Sequence, residues 1–329
     1  MELAFEGLSR TSVLTPGVYD TCEHDEAADR PSWIPEIPPA ILADRRVMYA
    51  SSAGLVGCYV DESGEGRPLV LLHSMHLAAS AYEVMPLFMS ERGKRPVYAV
   101  ELPGFGSSDR SERIYDAAMM MEALFSVLSE IVTQRGMPVD VVALGNTGEM
   151  VARVASAAPY LTNSLTLVAP TVARMPMPLR TRLMQPAAHL CERLLLSSGL
   201  GPLAFRLLTS RMLMRAFYAS LFGSVVDEGL LAYARITSRA RHARFAPACL
   251  IGGRLRCAET LASIFARVPV RTLLVCGARD VMDETLHAAC TDNAHVSIAR
   301  IDGAHRFPHF ENPEAFHDAM TQFQTLALG

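Results

Sequence analysis

Apolar residues in this chain fall mostly in short continuous runs rather than in alternation with polar ones. Residues 68–72 (Pro-Leu-Val-Leu-Leu), 96–100, 139–144, 165–169, 270–276 and 296–301 all read this way. A run of that length predicts a strand buried on both faces. Helix-length segments over 80–91, 116–135, 149–157 and 285–291 separate most of the runs. Strand and helix in alternation predict an α/β protein, a parallel sheet with helices on both faces. Two more strand-like stretches, 47–50 and 56–60, flank Ser-Ser-Ala-Gly and predict an antiparallel hairpin ahead of that sheet.

Two regions depart from the alternation. Residues 1–44 are irregular and rich in proline and acids, which predicts an N-terminal arm. Residues 171–262 are rich in Leu, Met and Arg, helical in composition, and interrupted by proline and glycine. They predict a helical cap inserted after the sixth strand, leaving 45–170 and 263–329 as the core.

Composition narrows the function classes. With 50% apolar and 19% charged residues a large core is available, so disorder is not expected. No uninterrupted apolar run reaches the roughly 18 residues of a membrane span, and Met1–Arg10 lacks a signal-like apolar segment. The expectation is a cytoplasmic protein without a membrane partner. The seven cysteines are scattered with no C-x-x-C pair, so neither a zinc site nor a disulfide framework is expected. No glycine-rich dinucleotide fingerprint follows a strand, and no cofactor is expected. Charge is more telling. Net charge is −4, yet residues 171–262 hold thirteen arginines against four acids. Such asymmetry points to an anionic substrate, free or linked to a carrier. No nucleic-acid motif accompanies it, so that partner is not expected.

Four landmarks carry the candidate chemistry. His73-Ser74-Met75-His76 follows the first buried run, and Glu101-Leu102-Pro103-Gly104-Phe105-Gly106-Ser107-Ser108-Asp109 the second. Gly277-Ala278-Arg279-Asp280 ends a later run, and Gly303-Ala304-His305-Arg306-Phe307-Pro308-His309 comes near the C-terminus. In this order and spacing they resemble the α/β-hydrolase superfamily over residues 45 to 327. The resemblance implies a mostly parallel central sheet, an acid at Asp280, and a nucleophile in Gly145-Asn146-Thr147-Gly148-Glu149, at Thr147. Gly148 with Ser74 or Met75 would supply the oxyanion hole. His73, Asn146, Glu149 and Arg306 would line the substrate site.

This sequence departs from the superfamily's pattern twice. A β-branched threonine takes the place of the usual serine, where a strained turn would cost on the order of 1–3 kcal/mol. Arg306 stands where the catalytic histidine is expected, with His305 one residue earlier, and an arginine stays protonated and cannot act as a base. His309 is the other histidine of that loop.

Three readings follow. In one, Thr147, His305 and Asp280 form a triad that hydrolyses an ester, thioester or lactone. In the second, His305 and Asp280 move a proton without an acyl-enzyme, in an elimination, dehydration or cyclisation. Arg306 and cap arginines then hold an anionic group of a small or medium acyl substrate, as suits natural-product biosynthesis. In the third, the site is inert and the protein binds or scaffolds. Bland roles stand beside each: Asp280 as a helix cap, Thr147 filling its turn, His73 as a structural loop residue, Glu149 favoured by a helix dipole.

Overall fold

The computed structural model describes residues 37–170, 178–223, 225–257, 261–280 and 284–325. The arm expected over residues 1–44 lies outside the described residues as far as residue 36. Eight strands form one sheet: β1 (Asp44–Ala50), β2 (Gly54–Asp61), β3 (Leu69–Leu72), β4 (Val97–Val100), β5 (Val139–Leu144), β6 (Thr162–Val168), β7 (Arg271–Gly277) and β8 (Val296–Ile301). Their order is β1-β2-β4-β3-β5-β6-β7-β8. β1 with β2 and β2 with β4 are antiparallel; every other pair is parallel. This is the doubly wound arrangement that the α/β-hydrolase resemblance implied.

β3, β4 and β5 are buried at every position, the reason their sequences lack alternation. Successive side chains still serve different cores, because the strand period is two. Val70 and Leu72 join the cluster under α2 (Ala117–Arg135) and α3 (Thr147–Ala157), with Leu124 and Val151. Leu69 and Leu71 join the opposite cluster with Phe88 of α1 (Met85–Glu91) and Phe316 of the C-terminal helix (Pro313–Thr325). Among the described helices only α2 is long and apolar enough to cross a membrane, with a mean hydropathy of 1.2. Its buried stripe of Met120, Leu124, Val127 and Ile131 packs on β1, β5 and α3, as in a core helix.

Between β6 and β7 run α4 (Pro178–Leu196), α5 (Gly201–Leu208), α6 (Arg211–Ala219), α7 (Glu228–Thr237) and α8 (Phe245–Ile251). A short α9 (Leu261–Phe265) then packs on α3 and on α10 (Glu284–Thr291). The insertion is tied to the strand-end loops by buried polar contacts. Arg110 donates from Nη1 to the Thr237 carbonyl at 2.8 Å, and Tyr82 stacks on Tyr233 with centroids 5.4 Å apart. The loop that carries Arg110 is itself built on Glu101. Its Oε1 accepts from the Ala81 N–H at 2.9 Å and Oε2 from the Ser107 N–H. Gly106, at φ +48°, passes so close that a Cβ there would overlap this carboxylate.

Candidate active site

Parallel α/β sheets gather function at the carboxyl ends of their strands. Here the ends of β3, β5, β7 and β8 bring His73–His76, Gly145–Gly148, Asp280 and His305–Arg306 to that edge. The positions that the sequence resemblance singled out are therefore collected. Among the described residues no hydrogen bond links Thr147, His305 and Asp280 to one another.

The turn after β5 is relaxed. Gly145 takes the left-handed conformation at φ +55°, while Asn146 is helical at φ −71° and Thr147 has no positive φ. Thr147 opens α3, so the strain expected of a β-branched residue there does not arise; a glycine two positions earlier absorbs the bend. The Thr147 side chain is fully buried, and its Oγ1 donates to the His73 carbonyl at 2.7 Å. That hydroxyl serves as a tie between the β3 and β5 loops.

The oxyanion donors are also taken. Met75 N–H donates to Asn146 Oδ1 at 2.9 Å, and Asn146 Nδ2 returns a bond to the Met75 carbonyl at 3.1 Å. Ser74 donates to Glu83 Oε2 from its backbone N–H at 2.9 Å and from Oγ at 2.7 Å. Gly148 N–H donates to the Gly145 carbonyl at 3.2 Å. The oxyanion role expected of Ser74 and Met75 is thus corrected, because both N–H groups already have side-chain acceptors. Asn146 is likewise part of this clasp rather than a free substrate contact.

His73 and Glu149 do not line the site either. His73 is fully buried, with Nε2 accepting from the Leu102 N–H at 3.0 Å and Nδ1 2.5 Å from the Ser74 carbonyl. Burial pushes its pKa down, against the pull of Glu83 and Glu101. Glu149 turns along α3 to Arg153 Nη2 at 3.1 Å, an i,i+4 pair.

At the β7 and β8 ends, Arg306 rather than His305 faces the acid. Arg306 Nε lies 3.7 Å from Asp280 Oδ1, with about a quarter of the arginine side chain open to solvent. His305 instead directs Nδ1 to the Leu221 carbonyl at 3.1 Å. A carbonyl only accepts, so Nδ1 carries a proton, and in the neutral form of the ring Nε2 is the nitrogen with the lone pair. No hydrogen bond joins His305 to Asp280 or to Thr147 among the described residues. The expected His305–Asp280 pairing is corrected on that geometry. The Leu221 carbonyl, which also accepts from the Arg306 N–H at 3.0 Å, orients the ring instead. Glu311 fixes both sides of the junction, accepting from Gly223 N–H at 2.6 Å and His305 N–H at 2.8 Å.

Sequence reasoning missed one cluster entirely. Glu83, in the turn before α1, is fully buried, with Oε1 2.6 Å from His76 Nε2. The approach lies off the ring's N–H axis, so it is electrostatic contact more than a directed hydrogen bond. Burial raises the Glu83 pKa, but the His76 and His73 rings and the Ser74 hydroxyl outweigh it and hold it at about 2. The His76 ring packs on Phe217 and Tyr218 of α6, at 5.1 and 5.4 Å. Tyr218 is buried too, and its hydroxyl has no hydrogen-bond partner among the described residues. A second histidine two residues after Ser74 was the available signal. His309, the other histidine of the C-terminal loop, donates from Nε2 to the Glu83 carbonyl at 2.8 Å, and burial pushes its pKa down to about 4.

The profile of the alpha/beta hydrolase family matches residues 69–319, most of the chain and all four landmarks. The chain belongs to the alpha/beta hydrolase family. Solved structures agree on the fold. A serine hydrolase involved in carbazole degradation superposes with a TM-score of 0.65 at 18% identity, over 86% of this chain and 99% of that one. A thermophilic esterase from Thermogutta terrifontis gives 0.64 at 16%, covering 86% and 98%. A carboxylesterase from Bacillus subtilis gives 0.61 at 16%, covering 86% and 92%. At such identities these likenesses concern the fold alone. No curated protein of related sequence matches the chain. Within the alpha/beta hydrolase family, then, this member sets Arg306 beside Asp280 and ties Thr147 to the β3 loop.

Proposed function

We propose that this alpha/beta hydrolase family member is an enzyme that moves a proton on a small or medium acyl substrate bearing an anionic group, without forming an acyl-enzyme. The carrying observation is the arrangement of the adjacent pair His305 and Arg306. The imidazole is held through Nδ1 by the Leu221 carbonyl with Nε2 left as a base, and the neighbouring guanidinium stands at Asp280. In this reading Arg306 takes the substrate's carboxylate or similar group by charge-assisted hydrogen bonds. His305 Nε2 removes a proton from the carbon next to the acyl carbonyl, leaving the electron pair as an enolate that can expel a leaving group or close a ring. Thr147 keeps the turn in place. The hydrolytic alternative is disfavoured because the Thr147 hydroxyl is spent on His73 and the Met75 N–H on Asn146. That same clasp favours a second reading, a binding protein without catalysis.

The test follows deuterium incorporation from D2O into a panel of short 3-oxo and unsaturated acyl acids by NMR. Wild-type protein is expected to exchange the acidic C–H, His305→Ala to lose at least about 100-fold, and Thr147→Val to stay within about threefold. Exchange by none of the panel supports the binding reading. Esterase turnover with an acyl group trapped on Thr147 in the mass spectrum would sink the proposal.

A further inference from the structure

The outer face of the helical insertion carries cations and leucines that the site does not use. A groove of about 420 Å³ opens between α5 and the segment after α7, bordered by Pro202, Leu203, Arg206, Arg239, His242 and Arg244. Its size suits one phosphate-bearing group and part of the molecule attached to it. Two of the nearby acids are committed elsewhere and a third stands at the rim. Glu192 is buried against Arg254, Glu228 pairs with Arg215, and Glu112 sits at the rim on His242. Arg206, Arg235 and Arg239 have no carboxylate partner among the described residues. Arg239 is held below its ordinary pKa by desolvation and by the like charges of Arg206 and Arg235. A multivalent anion seated there would relieve that repulsion.

Beside the groove, α5 shows a second feature. Leu200, Leu203 and Leu207 are 63%, 58% and 61% exposed, and their i, i+3, i+7 spacing puts them on one stripe. Arg206 lies at the edge of that stripe, one turn from Leu203. Met212, at the start of α6, is 76% exposed. Exposed leucines of α5 beside Arg206 and the arginines that border the groove give one surface both the apolar and the cationic contacts of a membrane interface.

We propose that this face of the insertion docks on an anionic lipid bilayer: the groove takes the phosphate of a phospholipid headgroup, and Leu200, Leu203 and Leu207 enter the acyl boundary. Self-association through the face is disfavoured, since a two-fold contact would set these arginines against their own copies. A nucleic-acid strand would use the cations and leave the leucines in water. The face lies on the bilayer and does not cross it, so no spanning segment is needed.

The test is co-sedimentation of the full chain with vesicles of phosphatidylcholine, alone and with roughly a third phosphatidylglycerol. Binding is expected to the anionic vesicles only, and to be released at about 1 M salt, where the Debye length is about 3 Å. The double variant Arg206→Ser/Arg239→Ser is expected to bind about 25-fold more weakly, about fivefold per arginine. Leu203→Ser/Leu207→Ser should bind more weakly as well, and both variants should melt at the wild-type temperature because the residues are exposed. The proposal is overturned by equal binding to neutral vesicles, or by no binding to either. It is also overturned if the leucine variant binds undiminished while pyrophosphate competes, which identifies a soluble phosphate ligand. Capture of an acidic protein without vesicle binding overturns it too.

Discussion

Replacing Glu83 with alanine is expected to destabilise the protein by about 3–5 kcal/mol, the loss of two buried hydrogen bonds to a charged acceptor at about 1.5–3 kcal/mol each. The carboxylate accepts from Ser74 twice and contacts His76 at 2.6 Å, with no exposure to water. Alanine leaves the Ser74 N–H and the His76 ring without their acceptor in a dry setting. Urea denaturation near pH 7 measures this directly. Glu83→Gln, which keeps one acceptor oxygen, should lose less. The double change Glu83→Leu/His76→Phe should recover much of the loss, because a hydrophobic replacement removes both partners together. A Glu83→Ala variant within about 0.5 kcal/mol of wild type would show that the cluster does not hold the loop.

The second large effect is acid lability centred on His309. Its ring is buried, and its pKa falls from 6.5 in the unfolded chain to about 4 in the folded one. The folded value is depressed, so the unfolded chain binds the proton more readily between these limits. The stabilisation is therefore complete above about pH 6.5 and is lost as pH falls through 4. The shift corresponds to roughly 3 kcal/mol. His73, also depressed by burial, adds in the same direction. Glu83 contributes lower down, its stabilisation present above pH 4.5 and lost towards about 2. Unfolding free energy should thus drop by roughly 2–3 kcal/mol between pH 7.5 and 4.5. His309→Gln keeps an N–H for the Glu83 carbonyl and should flatten the curve in that window. An unchanged slope in that variant would remove His309 as the cause.

The sheet was legible in the sequence wherever burial was complete. β3 and β4 match their apolar runs closely because every position in them is buried and no charged residue interrupts them. β6 starts at Thr162, ahead of the run at 165–169, because Asn163 and Ser164 are satisfied by Asp140, at 2.7 and 2.6 Å. A polar strand start of that kind is visible only when its partner on the neighbouring strand is known. The segment 80–91 divides into a 3-10 turn and α1 because Pro86 supports a helix start, not its interior.

The site was legible as positions and not as contacts. Order and spacing placed Thr147, Asp280 and His305 at one edge of the sheet. Which groups they bond was decided by residues far away in the chain. Thr147 is tied to a carbonyl 74 residues earlier, and His305 to one 84 residues earlier. No local pattern reports such partners. The Arg306–Asp280 pair was closer to reach, since an arginine in the histidine's place must find an anion.

The Leu221 carbonyl belongs to the insertion, while the ring it orients belongs to the core. Any displacement of residues 221–223 therefore also releases the imidazole from the acceptor that orients it, so this stretch of the insertion and the histidine of the core are mechanically one unit.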